Sequence, residues 1–312
     1  MPSAQETYDI VIIGGGATGL SAALYSARAM LKVLVLEKLA CGGQILITDV
    51  IENYPGFPDG ILGPDLAQLY ERQATKFGAE IRYEMVEDIR VERESKVIVT
   101  SESEYSAKAV IIATGGEHNK LGVPGEEEYA GKGVSYCATC DGNFFRDQPV
   151  AVVGGGDSAV QEGLYLTQMT SKVTIVHRRD ELRASRVLQQ RAFSNPKMEF
   201  RWNQEVQQIQ GDGLMEALIL KDVNTGERST FKVPGVFIFI GFHPTTGFLR
   251  KGLIELDGGG HIVTSIRMET NVPGIFAGGD VRARSDRQLG TAVGDGITAA
   301  LSAYHYLSDD HS

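Results

Sequence analysis

Residues 9–19 read DIVIIGGGATG: a short apolar run is followed by three successive glycines and, after two further residues, by Gly19. An unbroken apolar run of this length predicts a strand that is buried on both faces. The segment after it, residues 20–30, is rich in Ala and Leu and favours a helix. A second apolar run at residues 32–36 ends at Glu37. This order predicts a strand, a glycine turn, a helix and a second strand.

The unit is repeated once along the chain. Residues 150–159 read VAVVGGGDSA, and a helix-forming stretch and a second strand follow, ending at His177. The spacing from Gly14 to Glu37 equals the spacing from Gly154 to His177. One glycine box is weak evidence, because any tight turn between a strand and a helix can use one. Two boxes with the same spacing predict two dinucleotide-binding units.

Close approach of a phosphate explains the glycines. The first allows a tight turn, the second lets the backbone reach a pyrophosphate, and the third lets the helix pack on the strand. In the second copy Ala159 takes the third position. The start of each helix offers unpaired N–H groups and positive potential to the phosphates.

The two copies differ where the second strand ends. Glu37 in the first copy can accept hydrogen bonds from a ribose diol. The second copy has basic residues there instead: His177, Arg178, Arg179 and, after them, Arg183. A carboxylate would repel a 2′-phosphate, whereas guanidinium groups bind one bidentately. We therefore expect FAD or NAD in the first copy and NADPH in the second; the alternative is that the arginines form a solvated surface turn.

Length and composition narrow the class of protein. The chain has 312 residues, of which 42% are apolar and 22% charged, which is typical of a globular protein of about two domains. Its net charge of −10 disfavours nucleic acid as a partner. Residues 1–7 lack the features of a signal peptide, and the apolar runs are far shorter than the ~20 residues that span a bilayer. We expect a cytoplasmic α/β protein with two three-layer Rossmann-like dinucleotide-binding domains and no membrane contact.

Two of the three cysteines form a C-x-x-C motif. Cys137 and Cys140 cannot supply the four ligands of a structural zinc site, and no paired histidines stand near them. The spacing instead predicts a reducible disulfide. In the reduced pair, the pKa of one thiol is expected to be lowered. Asp141 follows at once and is a candidate acid for a departing thiolate. Cys41 has no partner in the sequence and is expected to be a packed small residue.

Two later stretches repeat the pattern of a buried strand followed by glycine. They are residues 109–116 and residues 274–280, the second of which ends at Asp280. Such turns are expected where the chain passes close to a cofactor. Residues 297–307 predict a final helix, and the charged, alternating stretch 80–108 predicts an antiparallel β-meander.

Together these motifs resemble those of the low-molecular-weight thioredoxin reductases, and the resemblance covers essentially the whole chain. Its most specific feature is the C-x-x-C motif next to the second glycine box. The matching segments are GGGATG at 14–19, GGQ at 42–44, ENYPG at 52–56, ATG at 113–115, CATCDG at 137–142, GGGDSA at 154–159, HRR at 177–179, GGD at 278–280 and RQ at 287–288.

The resemblance implies a homodimer whose chains each have two domains. The FAD domain is discontinuous, residues 1–117 and 245–312, and the NADPH domain, residues 118–244, is inserted in it. FAD contacts are implied for Gly14, Gly16, Ala17, Thr18, Gly19, Glu37, Lys38, Gly43, Gln44, Asn53, Val86, Ala113, Thr114, Gly115, Asp280, Arg287, Gln288 and Leu289. NADPH contacts are implied for Gly154, Gly156, Asp157, Ser158, Ala159, His177, Arg178, Arg179, Arg183 and Ile240.

The resemblance also implies a reaction in three steps. NADPH passes a hydride to FAD, and the reduced flavin opens a Cys137–Cys140 disulfide, with Cys140 the sulfur nearer to the flavin. The Cys137 thiolate then attacks the disulfide of thioredoxin or a thioredoxin-like protein, and Asp141 supplies or takes protons. Because the nicotinamide and the cysteines use one flavin face in turn, the NADPH domain has to rotate about hinges near residues 117–121 and 242–247.

The chain departs from the family pattern at Thr18 in the first glycine box, at Thr245, and at Gly163 within the second helix. Two alternatives stay open. One is an enzyme of the same architecture with a different partner or electron donor, such as a glutaredoxin-like protein, ferredoxin or a deazaflavin. The other is a flavin-bound redox sensor without sustained turnover.

Overall fold

The computed structural model of the protein describes residues 6–48, 50–92 and 95–309. These residues divide into two compact units. The first unit comprises the described residues up to Glu117 and from His243 onward, and the second is His118–Phe242. Each unit holds a sheet whose core strands are parallel. The predicted α/β class with two Rossmann-like domains is therefore confirmed.

The helices and strands follow the chain in three parts. The N-terminal part contains β1 (Glu6–Ile13), α1 (Ala17–Arg28), β2 (Val33–Leu36), β3 (Val50–Ile51), β4 (Ile61–Leu62), α2 (Gly63–Lys76), β5 (Glu80–Arg82), β6 (Val86–Val91), β7 (Lys96–Thr100), β8 (Glu104–Ile112) and β9 (Gly116–His118). The middle part contains β10 (Val134–Ser135), α3 (Ala138–Asp141), β11 (Pro149–Val153), α4 (Asp157–Leu166), β12 (Lys172–Val176), α5 (Arg186–Phe193), β13 (Met198–Arg201), β14 (Gln204–Asp212), β15 (Leu214–Asp222), β16 (Arg228–Lys232) and β17 (Val236–Ile238). The C-terminal part contains β18 (Phe242–Pro244), β19 (Ile275–Ala277) and α6 (Leu289–Asp309).

The first unit is built on one large sheet with the strand order β5-β2-β1-β8-β7-β6, and β19 also pairs with β8. The strands β5, β2, β1, β8 and β19 are mutually parallel along their pairings. Successive residues of β1 enter different clusters: Ile10 and Ile12 pack with residues of α1 and α6, while Val11 and Ile13 pack on the other face. The strand is therefore buried on both faces, which explains why its sequence shows no alternation.

The predicted meander over residues 80–108 is only partly correct. The strands β6, β7 and β8 are antiparallel neighbours, as predicted. Residues Glu80–Arg82, however, form β5, which pairs in parallel with β2 at the edge of the sheet. The physical reason is that helix α2 carries the chain back before β5, and a crossover of this kind returns a strand in the parallel sense.

The final helix is longer than predicted. Helix α6 begins at Leu289 rather than near residue 297 and so includes Gly290, Gly294 and Gly296. A Cβ added at Gly296 would lie 2.2 Å from the carbonyl oxygen of Thr18. The glycine that reads as a helix breaker in the sequence is thus required by the close approach of α6 to the start of α1.

The second unit has a parallel sheet of order β10-β17-β11-β12-β13 and an antiparallel sheet of β14, β15 and β16. Strands β11 and β12 with helix α4 repeat the arrangement of β1, β2 and α1, as the internal repeat predicts. Apolar clusters cover both faces of the parallel sheet, with Val153 in one and Val152 in the other. Among the helices of the described residues, none combines the length and the apolar character needed to cross a membrane.

Candidate active site

The first glycine turn joins β1 to α1 in the first unit. Gly14 has a φ of +105°, and a Cβ added there would lie 2.4 Å from the carbonyl oxygen of Ala113. At Gly19 an added Cβ would lie 1.8 Å from the carbonyl oxygen of Gly14, so a side chain is excluded. At Gly16 the nearest atom to an added Cβ is the Gly43 Cα, 4.0 Å away. The turn is thus closed by backbone at its two ends and open in the middle, which is the form a pyrophosphate cradle requires.

Glu37 lies beside this turn. Its Oε2 accepts a hydrogen bond from the Gly15 N–H at 2.8 Å, and its Oε1 accepts one from the Leu39 N–H at 3.1 Å. These bonds hold the carboxylate at the end of β2, where the sequence predicts a ribose contact. The neighbouring Lys38 forms an exposed ion pair with Glu117 at 3.4 Å, which contributes little stability.

Loops that are distant in sequence meet near the first turn. Gln44 donates a hydrogen bond to the carbonyl of Gly116 at 3.0 Å, and Thr114 donates one to the carbonyl of Thr245 at 2.8 Å. Asn53 donates one to the Gln288 side chain at 3.4 Å. These contacts bring together segments that the sequence assigns to one cofactor. The contacts of all the residues predicted to bind this cofactor stay predictions, including those of Ala17, Gly43, Val86, Gly115, Arg287 and Leu289.

Two carboxyls lie close to the C-terminal glycine turn of the first unit, the half-buried Asp280 in the turn itself and the buried Asp295 in helix α6. Burial raises the pKa of Asp280, and a hydrogen bond from Ser285 at 3.2 Å acts in the opposite direction. Asp295 was missed as a site residue: it accepts the Gly279 N–H at 2.9 Å and forms an ion pair with Arg282. Asp295 therefore fixes the turn that carries Asp280. The sequence signal for it was the Gly-Asp-Gly triplet at 294–296.

The second glycine turn joins β11 to α4 in the second unit. Gly154 has a φ of +145°, and a Cβ added there would lie 2.4 Å from the carbonyl oxygen of Phe239. A Cβ added at Gly156 would meet no protein atom within 4 Å. Ala159 is fully buried in the core, as the third position of the box requires. This turn therefore has the same closed and open positions as the first.

A loop after β12 is tied to the second turn. The Gly155 carbonyl accepts the Arg183 N–H at 2.7 Å, and the Asp157 carboxylate accepts the Ser185 N–H at 2.7 Å. Asp157 was predicted to contact the nucleotide, and in the structure its carboxylate also holds the loop that carries Arg183. The nucleotide contacts of Asp157 and Ser158, like those of the other residues predicted to bind NADPH, stay predictions.

The basic residues after β12 surround this loop. His177 is buried against Gly155, and its pKa is lowered by burial and by the nearby Arg183, Arg179 and Arg178. Its ring is therefore neutral near pH 7, and the positive charge resides on the arginines. All three guanidiniums are exposed, and within the described ranges none of them belongs to an ion pair. Ile240, the remaining predicted contact, is exposed just beyond β17.

Cys137 and Cys140 form a disulfide in the second unit, with a Cα–Cα distance of 5.3 Å. Both residues are half-buried at the start of the short helix α3. The Cys140 N–H donates a hydrogen bond to Cys137 Sγ at 3.2 Å, and the Thr139 hydroxyl lies 3.3 Å from the same sulfur. Donors of this kind stabilise negative charge on a sulfur.

Asp141 ends helix α3 directly after the disulfide. Burial raises the pKa of its carboxyl, and a 2.6 Å hydrogen bond from the Ser135 hydroxyl acts against that shift. Ser135 was missed by sequence reasoning because serine has no chemical signature of its own. Cys41, in contrast, is buried in the core of the first unit, and burial raises the pKa of its thiol to about 11.

A protein-family model described as pyridine nucleotide-disulphide oxidoreductase matches residues 8–296. The chain belongs to the pyridine nucleotide-disulphide oxidoreductase family. As in that family, it combines two nucleotide-binding turns with a reducible disulfide, and the predicted use of a flavin and a pyridine nucleotide is confirmed at this coarser level.

Individual members of this disulphide oxidoreductase family are similar to the chain over nearly its full length. It is 50% identical to a thioredoxin reductase of Bacillus subtilis over 309 residues, which cover 98% of this chain and 97% of the relative. A thioredoxin reductase of Peptoclostridium acidaminophilum is 48% identical over 309 residues, 97% of this chain and 98% of the relative. The crystal structure of thioredoxin reductase from Streptococcus pyogenes superposes with a TM-score of 0.95 at 49% identity, covering 98% of this chain and 100% of that one. The predicted resemblance to low-molecular-weight thioredoxin reductases is confirmed.

Proposed function

We propose that the protein is a flavoprotein thioredoxin-disulfide reductase that transfers electrons from NADPH through FAD to the Cys137–Cys140 disulfide. The observation that carries the proposal is this disulfide, which lies in the same unit as a glycine turn with exposed arginines beside it. Its relatives at about half identity are named thioredoxin reductase, which supports the choice of partner.

FAD is proposed for the first unit. The open position at Gly16 leaves room for a pyrophosphate, and the position of Glu37 beside the same turn supports a contact with an adenosine ribose diol. A carboxylate at this position disfavours a 2′-phosphate, which supports an unphosphorylated ribose. Asp280 is proposed to contact the ribityl or pyrophosphate region of the flavin, with Arg287 and Gln288 near the ring. Gln44 and Asn53 are proposed to line the FAD as well.

NADPH is proposed for the second unit. Gly156 leaves the corresponding space open, and Arg178, Arg179 and Arg183 supply guanidiniums for the 2′-phosphate. The neutral His177 adds no charge to this cluster, and its ring packs against Gly155 of the second glycine turn. The residue ranges proposed for the two domains are those predicted from the sequence.

When bound, the flavin supplies the two-electron chemistry that connects a nicotinamide with a disulfide. The residues of this chain then perform thiol–disulfide exchange. The Cys137 thiolate attacks the partner disulfide and forms a mixed disulfide, and Cys140 resolves it. The hydrogen-bond donors around Cys137 Sγ support Cys137 as the attacking thiolate. Asp141, whose pKa is raised by burial, holds or releases the proton that the sulfurs exchange.

The proposed partners are thioredoxin and a second copy of this chain in a homodimer. A cytoplasmic location is proposed because a reversible disulfide with no structural disulfide framework suits a reducing compartment. The hinges near residues 117–121 and 242–247 belong to this proposal, since the chain passes between the units there.

Steady-state turnover tests the proposal. The holoenzyme is assayed for NADPH oxidation with oxidised thioredoxin, a glutaredoxin and no partner, using wild type, Cys137→Ser and the control Cys41→Ser. We expect thioredoxin-dependent turnover that Cys137→Ser abolishes and Cys41→Ser retains. Flavin reduction without sustained turnover, or turnover with the glutaredoxin alone, would refute the proposed function.

A further inference from the structure

The Ser135 hydroxyl lies at the centre of a small hydrogen-bond network next to the disulfide. It is 2.6 Å from Asp141 Oδ2 and 3.2 Å from the Cys137 carbonyl oxygen. It also accepts a hydrogen bond from the Cys137 N–H at 3.1 Å. Ser135 is 4% exposed, so these protein groups, rather than bulk water, satisfy its hydroxyl. One side chain thus joins the backbone of the first cysteine to the carboxyl that follows the second.

Ser135 is the side chain whose hydrogen bond opposes the effect of burial on the pKa of Asp141. Burial raises the pKa of Asp141, and the Ser135 hydrogen bond is the influence that lowers it. The elements packed against α3 are α4 and the turn Gly142–Phe145. The turn has no titratable side chain. Helix α4 carries Asp157, Glu162 and Tyr165, of which Asp157 binds the Ser185 N–H and Glu162 has a pKa raised by its own burial. Tyr136, beside Ser135, donates its hydroxyl hydrogen to the buried Glu126.

A hydroxyl both donates and accepts, so the network has two complete arrangements. When Asp141 is ionised, Ser135 donates to its carboxylate. When Asp141 is protonated, its O–H donates to Ser135 Oγ, and the Ser135 hydrogen turns toward the Cys137 carbonyl. The heavy atoms keep the same positions in both arrangements, and no buried polar atom of the network loses its partner.

We propose that Ser135 is a positioning residue that allows Asp141 to take up and release a proton beside the redox cysteines without moving. The inference rests on the proposed thiol–disulfide exchange and assigns its proton relay.

In the resolving step, the Cys140 thiol gives its proton to the Asp141 carboxylate. The Cys140 sulfur bonds to the Cys137 sulfur as the bond between Cys137 and the partner breaks. The partner sulfur leaves with the electron pair and takes the proton from Asp141. The enzyme dithiol is oxidised and the partner disulfide is reduced, so no further reagent is needed.

A matched pair of variants tests this role. Ser135→Thr keeps the hydroxyl, and Ser135→Val has the same shape without it. The protein is reduced with dithiothreitol, desalted, mixed with oxidised thioredoxin, quenched in acid and alkylated. The reductase and thioredoxin are then separated by mass, so that the rate at which the reductase loses its two thiols is measured across pH without NADPH. Asp141 must be ionised to accept the Cys140 proton, so the rate rises with pH through its pKa. Without the hydroxyl the ionised form loses its partner, and the rising limb should move to higher pH by about one unit.

Three controls separate this role from a packing defect. Ser26→Ala removes a buried hydroxyl that has no hydrogen-bond partner within the described residues, and the pH profile should not change. Asp141→Asn should remove the limb, and adding Ser135→Val to it should have no further effect. An infrared pH titration, taken as the difference between wild type and Asp141→Asn, follows the Asp141 carboxyl without turnover and should show the same displacement in Ser135→Val.

Identical profiles for Ser135→Thr and Ser135→Val would overturn the proposal. The same rates are measured with 5,5′-dithiobis(2-nitrobenzoate), a small disulfide. If wild type reacts with this probe but not with thioredoxin, the proposed function fails while the test of Ser135 still stands. If Ser135→Val does not fold, Ser135→Ala replaces it in both measurements, and profiles identical to those of wild type would overturn the inference.

Discussion

Replacing Arg178 and Arg179 together by alanine should remove most of the preference for NADPH over NADH. Both guanidiniums are exposed at the end of β12, next to a turn whose Gly156 leaves space for a pyrophosphate. Neither belongs to an ion pair in the part of the chain that the structure describes, so no carboxylate competes for them. NADH lacks the 2′-phosphate, and its binding should be unaffected.

The size of the effect follows from the hydrogen bonds lost. A hydrogen bond between a guanidinium and a phosphate is charge-assisted and contributes ~1.5–3 kcal/mol. Because both side chains face solvent and salt, the lower end applies, about 1.5 kcal/mol for each arginine. The two losses together correspond to a fall of about 100-fold in kcat/KM for NADPH. Arg183, which the Gly155 carbonyl holds in place through its backbone, should retain a small residual preference.

The assay compares kcat/KM for NADPH and for NADH in wild type, the double variant and Arg191→Ala. Arg191 is an exposed arginine on α5 of the same unit and serves as the matched control. In wild type the ratio should fall as ionic strength rises, and in the double variant it should depend on salt much less. An unchanged ratio in the double variant would refute the phosphate assignment. An equal loss with both nucleotides would show instead that the arginines maintain the loop.

Two further predictions concern packing and thiol chemistry. Gly154→Ala should lower the thermal midpoint sharply, since a φ of +145° and a backbone oxygen 2.4 Å from the new Cβ together cost about 3 kcal/mol or more. Gly156→Ala, where the new Cβ meets no protein atom within 4 Å, should leave the midpoint unchanged and weaken NADPH binding in a fluorescence titration; equal midpoints for the two variants would contradict this. In the oxidised protein near pH 8, the Cys41 thiol should resist iodoacetamide, because it is buried and its pKa is about 11, and react in urea; labelling of the native protein would contradict its burial.

Much of the fold could be predicted from local patterns. The apolar runs at 9–13 and 150–153, the glycine boxes and the strand-end residues repeat with one spacing, and both copies form the predicted unit. These features depend on residues that are near one another in the chain, since strand burial, helix propensity and tight turns are short-range properties. The disulfide between Cys137 and Cys140 could also be predicted from the local sequence, because the two cysteines are only three residues apart.

What the local pattern missed are contacts between residues far apart in the chain. The strand Glu80–Arg82 joined the parallel sheet because of helix α2 before it, and the early start of α6 depends on the backbone of Thr18. Asp295 became a site residue only through the Gly279 N–H and Arg282.

The sequence by itself therefore determined the two nucleotide units, the redox pair and the charge difference between the copies. The tertiary structure alone decided which buried polar groups support them. The bond between Ser135 and Asp141 is one example, and the bond from the Gly279 N–H to Asp295 is another. The physical reason is that a buried polar atom needs a partner, and which residue supplies that partner depends on how the chain packs rather than on local sequence.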